Sequence, residues 1–405
     1  MTDLATRPAP PLLRRAAPAL LGYAAVRALG LVALAGWSAA RDKSALTLLS
    51  ARWDSLWYTR VAELGYGYEV RLPNGDVHSN LAFFPLLPWL ERAVSAVTPL
   101  SYAHAGLVVA TLASLAAAWG IFAVADQVYG RRAGVCAVLL WAVLPVGIVQ
   151  SMAYTESLFT ALAAWSLYAV LTGRWVTAGI LAALAGLTRP VGLAVVAALW
   201  AAAIVSYVRE RRPDAPGAGD PVAAPPSVRS RSAEASGGAR LRSRAVGMAI
   251  APLGAGGYVL WVGHRTGGGP LGYLDVQAGW RNGFDGGYAF ARFVAEKFTS
   301  FPTALAGAGL IIGVASLIWL YTVCVRQGQP LPLLVYAGVV TALALCASSY
   351  FGSKPRLLMP AFPLLLPLAR ALARARTPRS AAILGAVGVL SALYGAFWLN
   401  GSGPP

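Results

Sequence analysis

The chain has 405 residues, of which 57% are hydrophobic and 12% charged, with a mean hydropathy of +0.60. Soluble domains carry about 25% charged residues, so a water-covered globular surface is excluded and an integral membrane protein is expected. The net charge of +17 does not point to nucleic acid, because the basic residues collect between apolar runs, at 14–15, 131–132, 174, 209–212, 240–244 and 370–379. Excess Lys and Arg in short loops marks the cytoplasmic side and suits contact with anionic membrane lipids.

The apolar runs come near 16–40, 104–125, 133–150, 156–172, 175–188, 191–208, 245–263, 303–325, 330–350, 356–373 and 379–399. A helix of roughly 20 residues crosses a hydrocarbon core about 30 Å thick, so the expected fold is all-α. It is a single polytopic transmembrane bundle over 1–405, with about eleven spans. The first run is too long for a cleaved signal peptide processed at Ser38-Ala39-Ala40. With the N-terminus inside, the basic loops at 126–132, 173–174, 209–244, 326–329 and 374–379 all fall on the cytoplasmic side. Within 175–208, Arg189-Pro190 either breaks one tilted helix or separates two short ones.

Two segments depart from the apolar pattern. Residues 209–244 are rich in Pro, Gly, Ser, Ala and Arg without apolar periodicity, a composition expected of a disordered cytoplasmic linker. Residues 41–103 lie outside, between the first two spans. They carry Trp53, Trp57, Tyr58, Tyr66, Tyr68, Phe83, Phe84 and Trp89 among acids and bases. Leu49, Trp53, Leu56, Trp57 and Val61 recur at helical spacing and predict an amphipathic helix in the interface. Loops on a rigid scaffold often carry chemistry, and this one is the first candidate.

Asp54 stands in Arg52-Trp53-Asp54-Ser55-Leu56-Trp57-Tyr58. A carboxylate between tryptophans near the bilayer surface is partly desolvated and suits a general base; the plainer alternative is an ion pair with Arg52 or a helix cap. Tyr154-Thr155-Glu156-Ser157 opens the fourth span, where Glu156 either serves chemistry or favours the helix N-terminus by its charge. Leu187-Thr188-Arg189-Pro190 sets an arginine between apolar stretches, which is costly and by default functional. Ser353-Lys354-Pro355-Arg356 adds two cations at the mouth of the tenth span. Arg27, inside the first span, has no assigned role.

Other chemistries lack their residues. Cys136, Cys324 and Cys346 sit in predicted spans without a CxxC pair, and His78, His104 and His264 have no metal-ligand spacing, so neither metal nor cofactor is expected. No GxxxxGK[ST] occurs, which makes Gly267-Gly268-Gly269 a turn, and no Asp-x-Asp pair is present to hold a metal on a nucleotide diphosphate.

The runs WDSLWYTRVAELGY…NLAFFPLLPWL at 53–90, LPVGIVQSMAYTESLF at 144–159 and LAALAGLTRPVGL at 181–193 together resemble the PIG-V family. These are GPI mannosyltransferase 2-like enzymes of the GT-C class of membrane glycosyltransferases. The resemblance covers 45–200 and thins beyond, where SKPRLLMPAFPLL at 353–365 is similar to a looser motif of the class. It implies an outward-facing cleft shaped partly by the first external loop, and a polyprenyl-phosphate sugar donor, most often of mannose. Asp54 matches the family's acidic first-loop residue, Glu156 the acid of its Ser/Thr-Glu-Ser motif, and Arg189 its arginine, followed here by Pro-Val-Gly rather than Ser-Asn-Gly.

The expected function is therefore transfer of mannose or another hexose from a polyprenyl-phosphate sugar to a lipid-linked or cell-envelope glycan. Composition places it in a bacterial plasma membrane, with the site on the outer face. Because a lipid phosphate leaves as a stabilised anion, one base and several cations suffice, without the paired carboxylates of glycoside hydrolysis. Asp54 is the expected base in an inverting displacement, with Glu156 beside it. Arg52, Trp53, Trp57, Tyr154, Arg189, Lys354 and Arg356 are the expected substrate contacts. The rival classes are a secondary transporter or lipid flippase, which would show internal repeats, and a non-catalytic subunit of a glycan assembly complex.

Overall fold

The computed structural model describes residues 11–211 and 226–401, with side chains throughout except at 226–237. Hydrocarbon offers no partner to a backbone amide, so the apolar runs fold as helices that satisfy their own groups. After α1 (Leu12–Ala39) the chain leaves the bundle for the expected loop. That segment holds α2 (Ala45–Ser50), α3 (Asp54–Leu64), an antiparallel hairpin of β1 (Glu69–Arg71) and β2 (Val77–Ser79), and α4 (Leu86–Val97). It is built structure rather than one amphipathic helix. The expected stripe is interrupted at Ala51–Trp53, so Leu49 is buried with α2, whereas α3 buries Ser55, Tyr58, Val61 and Ala62 and leaves Leu56 exposed.

The bundle continues with α5 (Tyr102–Tyr129), α6 (Arg131–Ala142), α7 (Thr155–Leu171), α8 (Trp175–Gly186) and α9 (Leu193–Arg211). Small residues let these helices approach, as membrane helices commonly do: a Cβ on Gly120 of α5 would lie 2.9 Å from the Ala164 side chain of α7. Two helices, not one tilted helix, occupy 175–208, separated at Leu187–Arg189. Then follow α10 (Pro226–Ile250), α11 (Leu253–Thr266), α12 (Gly272–Gly279), α13 (Tyr288–Glu296), α14 (Thr303–Arg326), α15 (Leu331–Cys346), α16 (Lys354–Leu358), α17 (Leu366–Arg374) and α18 (Thr377–Leu399). Of the expected linker, 212–225 lie outside the described residues. From Pro226 onward the chain is helical rather than unstructured, and Arg244 of α10, buried against Trp175, pairs with Glu210 of α9.

Among the described residues, six helices are long and apolar enough to cross a membrane, and α16–α17, bent by 74°, make a seventh if counted as one span. The expected count near eleven depends on shorter apolar helices, α7, α8 and α15 among them. Long-range polar contacts hold the breaks. Arg27, unassigned in the sequence, donates from within α1 to the carbonyls of Ala142 and Gly147, where α6 ends. Gln150 donates to Trp141 O at 2.7 Å and Ser391 to Leu144 O at 2.7 Å. At the α16–α17 bend, Trp141 Nε1 donates to Met359 O at 3.1 Å and the Tyr336 hydroxyl to Pro360 O at 3.0 Å.

Candidate active site

Three breaks in the helical pattern converge at the end of the bundle that carries the 41–103 segment. The first is the entry to α3. Trp53 adopts φ 55° and ψ −125°, a conformation L-residues resist. The turn is held because the buried Ser55 hydroxyl accepts from Arg52 N at 2.9 Å and donates to Arg52 O at 2.6 Å. Asp54 is thereby fixed at the first position of α3. The second break is Arg189. A proline disfavours the α region in the residue before it, so Pro190 stops α8 and leaves Arg189 extended at φ −161°. The turn closes so tightly that a Cβ on Gly192 would lie 2.5 Å from the Gly186 Cα, which accounts for the glycine of Arg-Pro-Val-Gly. The first loop docks on this break, with Leu86 N donating to Leu187 O at 3.0 Å. The third break is the short α16, which carries Arg356.

Four charged side chains meet there. Arg356 Nη1 donates to Asp54 Oδ2 at 2.7 Å, and its Nε lies 3.3 Å from Glu156 Oε1. Glu156 also pairs with Arg189 Nη1. Carboxylate and guanidinium therefore alternate, Asp54–Arg356–Glu156–Arg189. Glu156 is 1% exposed while Asp54 keeps 32%, so Glu156 closes the back of the site and Asp54 faces out. Tyr154 completes the floor: the Arg356 guanidinium sits 5.0 Å from its ring centroid, and its hydroxyl accepts from Asp54 N at 3.4 Å. Behind it, the buried Tyr58 and Thr155 hydroxyls are 3.0 Å apart.

The expected residues thus divide. Asp54, Tyr154, Glu156, Arg189 and Arg356 come together. Among the described residues Asp54 pairs not with Arg52 but with Arg356, a guanidinium from the far end of the sequence. Arg52 reaches the carbonyls of Leu399 and Gly401 at 3.4 and 3.3 Å and covers the Trp53 ring, which ties the loop to the end of α18. Lys354 is buried with its ammonium on the carbonyls of Ala344, Leu345 and Ala347 at 2.7, 3.2 and 2.9 Å. It caps the end of α15, with its three donors engaged there. Trp57 packs in an aromatic wall, stacked on Phe83 at 5.5 Å and edge-on to Trp280 at 4.8 Å. Trp280, Arg281 and Tyr350 at this face were not anticipated; Trp280-Arg281, an aromatic–basic pair outside the apolar runs, was the available signal. Among the described residues, no three His, Cys, Asp or Glu side chains gather as a metal site.

The family model of dolichyl-phosphate-mannose-protein mannosyltransferase matches residues 81–216, less than half of the 405. No curated protein matches the sequence. Among solved structures, the chain is similar to ArnT from Cupriavidus metallidurans bound to undecaprenyl phosphate, with 16% identity and a TM-score of 0.51. That likeness covers 91% of this chain and 62% of ArnT, so the chain spans less than two thirds of its relative. The archaeal oligosaccharyltransferase AglB from Archaeoglobus fulgidus, in complex with an inhibitory peptide and a dolichol-phosphate, aligns over 95% of this chain and 56% of its own, at 12% identity and TM-score 0.46. The chain shares its all-helical fold with ArnT. The narrower PIG-V resemblance rests on its motifs alone.

Proposed function

We propose that this chain transfers a hexose, most simply mannose, from a polyprenyl-phosphate sugar to a hydroxyl of a lipid-linked or cell-envelope glycan. We place the reaction on the outer face of a bacterial plasma membrane. The observation that carries the reading is the alternating quartet Asp54–Arg356–Glu156–Arg189 at the rim of the bundle. Support also comes from the matching mannosyltransferase family and from the undecaprenyl phosphate bound by ArnT, whose fold is shared.

The chemistry follows from charge. The quartet is neutral as it stands, so a lipid phosphate arriving at Arg356 competes with Asp54 for the guanidinium. Charge-assisted, bidentate contacts make arginine suited to phosphate. As Arg356 turns to the phosphate, Asp54 is left as a carboxylate able to take the proton of the acceptor hydroxyl. That oxygen bonds to the anomeric carbon, the bond to the phosphate oxygen breaks, and the lipid phosphate leaves with the electron pair. One displacement inverts the anomeric centre. Glu156, buried between two arginines, holds them in place rather than touching the sugar.

The test is an assay of purified chain with radiolabelled mannose presented either as polyprenyl phosphate mannose or as the nucleotide sugar, with an envelope lipid extract as acceptor. Label should pass only from the lipid donor. Transfer from the nucleotide sugar, with no lipid carrier present, would overturn the reading.

A further inference from the structure

Four non-glycine residues among those described have a positive φ, and three of them, Trp53, Arg281 and Tyr350, lie around the face on which Asp54 opens. Left-handed backbone persists at such residues only where the surroundings over-determine it, and it clusters at functional sites. Trp53 is explained by the need to set Asp54 at the start of α3. Arg281 and Tyr350 lie on two different connections, α12–α13 and α15–α16.

The backbone joins those connections. Phe284 and Ala347 form an antiparallel bridge, Ser348 N donates to Gly283 O at 3.0 Å, and the Ser349 hydroxyl donates to Asn282 Oδ1 at 2.6 Å. Arg281 Nε donates to Asp76 Oδ2 at 2.6 Å, which fastens the pair of loops to the hairpin. Arg281 and Tyr350 remain exposed, at 66% of the side chain and 43% of the residue, so neither strained residue is spent on core packing. The phenol of Tyr350 is held above its ordinary pKa by partial burial and then by the carboxylates of Asp54 and Asp76, with Arg281 opposing. Both acids are therefore within electrostatic reach of it, and the phenol stays a hydrogen-bond donor.

An exposed phenol on loops joined to the neutral Arg281–Asp76 pair is a poor seat for a lipid phosphate and a good one for neutral hydroxyl groups. Trp280, next to Arg281, packs edge-on to Trp57, one turn beyond Asp54 on α3, which sets these loops against the start of that helix. We propose that Tyr350, with the Arg281–Asp76 pair, forms the acceptor subsite, and that it takes a polyhydroxylated ring, a sugar or a cyclitol. The subsite places one ring hydroxyl next to Asp54. It deepens the transfer reading above and rests on it for the role of Asp54, whereas binding of a polyol ring can be measured without any transfer.

The experiment uses the full chain in nanodiscs. Methyl α-mannopyranoside and myo-inositol are titrated as probes by saturation-transfer NMR, and undecaprenyl phosphate is followed separately by native mass spectrometry. Saturable binding of at least one polyol is expected, weakened about tenfold by Tyr350→Phe and by Arg281→Gln, with undecaprenyl phosphate binding retained. Tyr350→Gly relieves the backbone and should melt no lower than the native chain while still losing the polyol. That combination separates recognition from a purely structural role. Equal polyol binding by the native chain and Tyr350→Phe overturns the proposal, as does the absence of saturable binding of either polyol to the native chain. Failure of the native chain to bind undecaprenyl phosphate would instead strike the donor reading and leave the polyol subsite standing.

Discussion

At the scale of single residues, partners decide what each charge does. Glu156 reads in the sequence equally well as a helix-terminus charge and as a site residue. It occupies the first turn of α7 and is also enclosed by two guanidiniums, so the helix-terminus position does not exclude the other reading. Lys354 was placed with Arg356 because a single residue separates them, yet its role depends on where α15 ends, which local pattern leaves open. Glu91 is the sharpest case. It is fully buried on α4, with Oε1 pressed against Gly106 of α5 and no partner among the described residues for either oxygen. Burial pushes its pKa from 4.5 up to about 9. Because the folded pKa lies above the unfolded one, its contribution to stability is greatest below about pH 4.5 and declines until pH passes 9, by up to ~1.4 kcal/mol per pH unit. Glu91→Gln mimics the protonated acid at every pH. Its melting temperature should therefore rise relative to the native protein between pH 5 and pH 9, and a gap constant across that range would refute the assignment of a neutral, buried acid.

At the scale of elements, the instructive features are helix breaks. The sequence marks them by Pro and Gly, as in Arg189-Pro190 and Met359-Pro360, but it does not say what satisfies the freed carbonyls. Those partners are far away in the chain: Arg27 serves Ala142 and Gly147, and Trp141 serves Met359. The sequence leaves the arginine within the first apolar run without a role, and it proves to be a tie between α1 and the end of α6. Arg27→Leu should leave two buried carbonyls unpaired, at about 1–3 kcal/mol each, and lower the melting temperature in detergent. An unchanged or higher melting temperature would show that water or a neighbouring group already meets their need. The first loop teaches the same lesson, since its aromatic residues announced a structured segment while the interruption at Trp53 and the hairpin beyond were hidden from helical periodicity.

At the scale of the whole molecule, the helical membrane class was legible from composition and the length of apolar runs alone, because the bilayer imposes both. The span count was less so: α7, α8 and α15 are apolar but short, and length does not decide their relation to the membrane. Much of the candidate site was legible too, because Asp54, Glu156, Arg189 and Arg356 are charges set among apolar and aromatic residues, and Tyr154 stands two residues before Glu156. The Asp76–Arg281 pair was not, since it joins residues 205 positions apart. The central claim is that Asp54, released from Arg356 by the donor phosphate, removes the acceptor proton. Its most direct test is single-turnover transfer from polyprenyl phosphate mannose by Asp54→Asn, which keeps shape and hydrogen bonding but not the base. The account predicts a rate lower by about 10²-fold or more, with donor binding and protein yield retained; a near-native rate would contradict it.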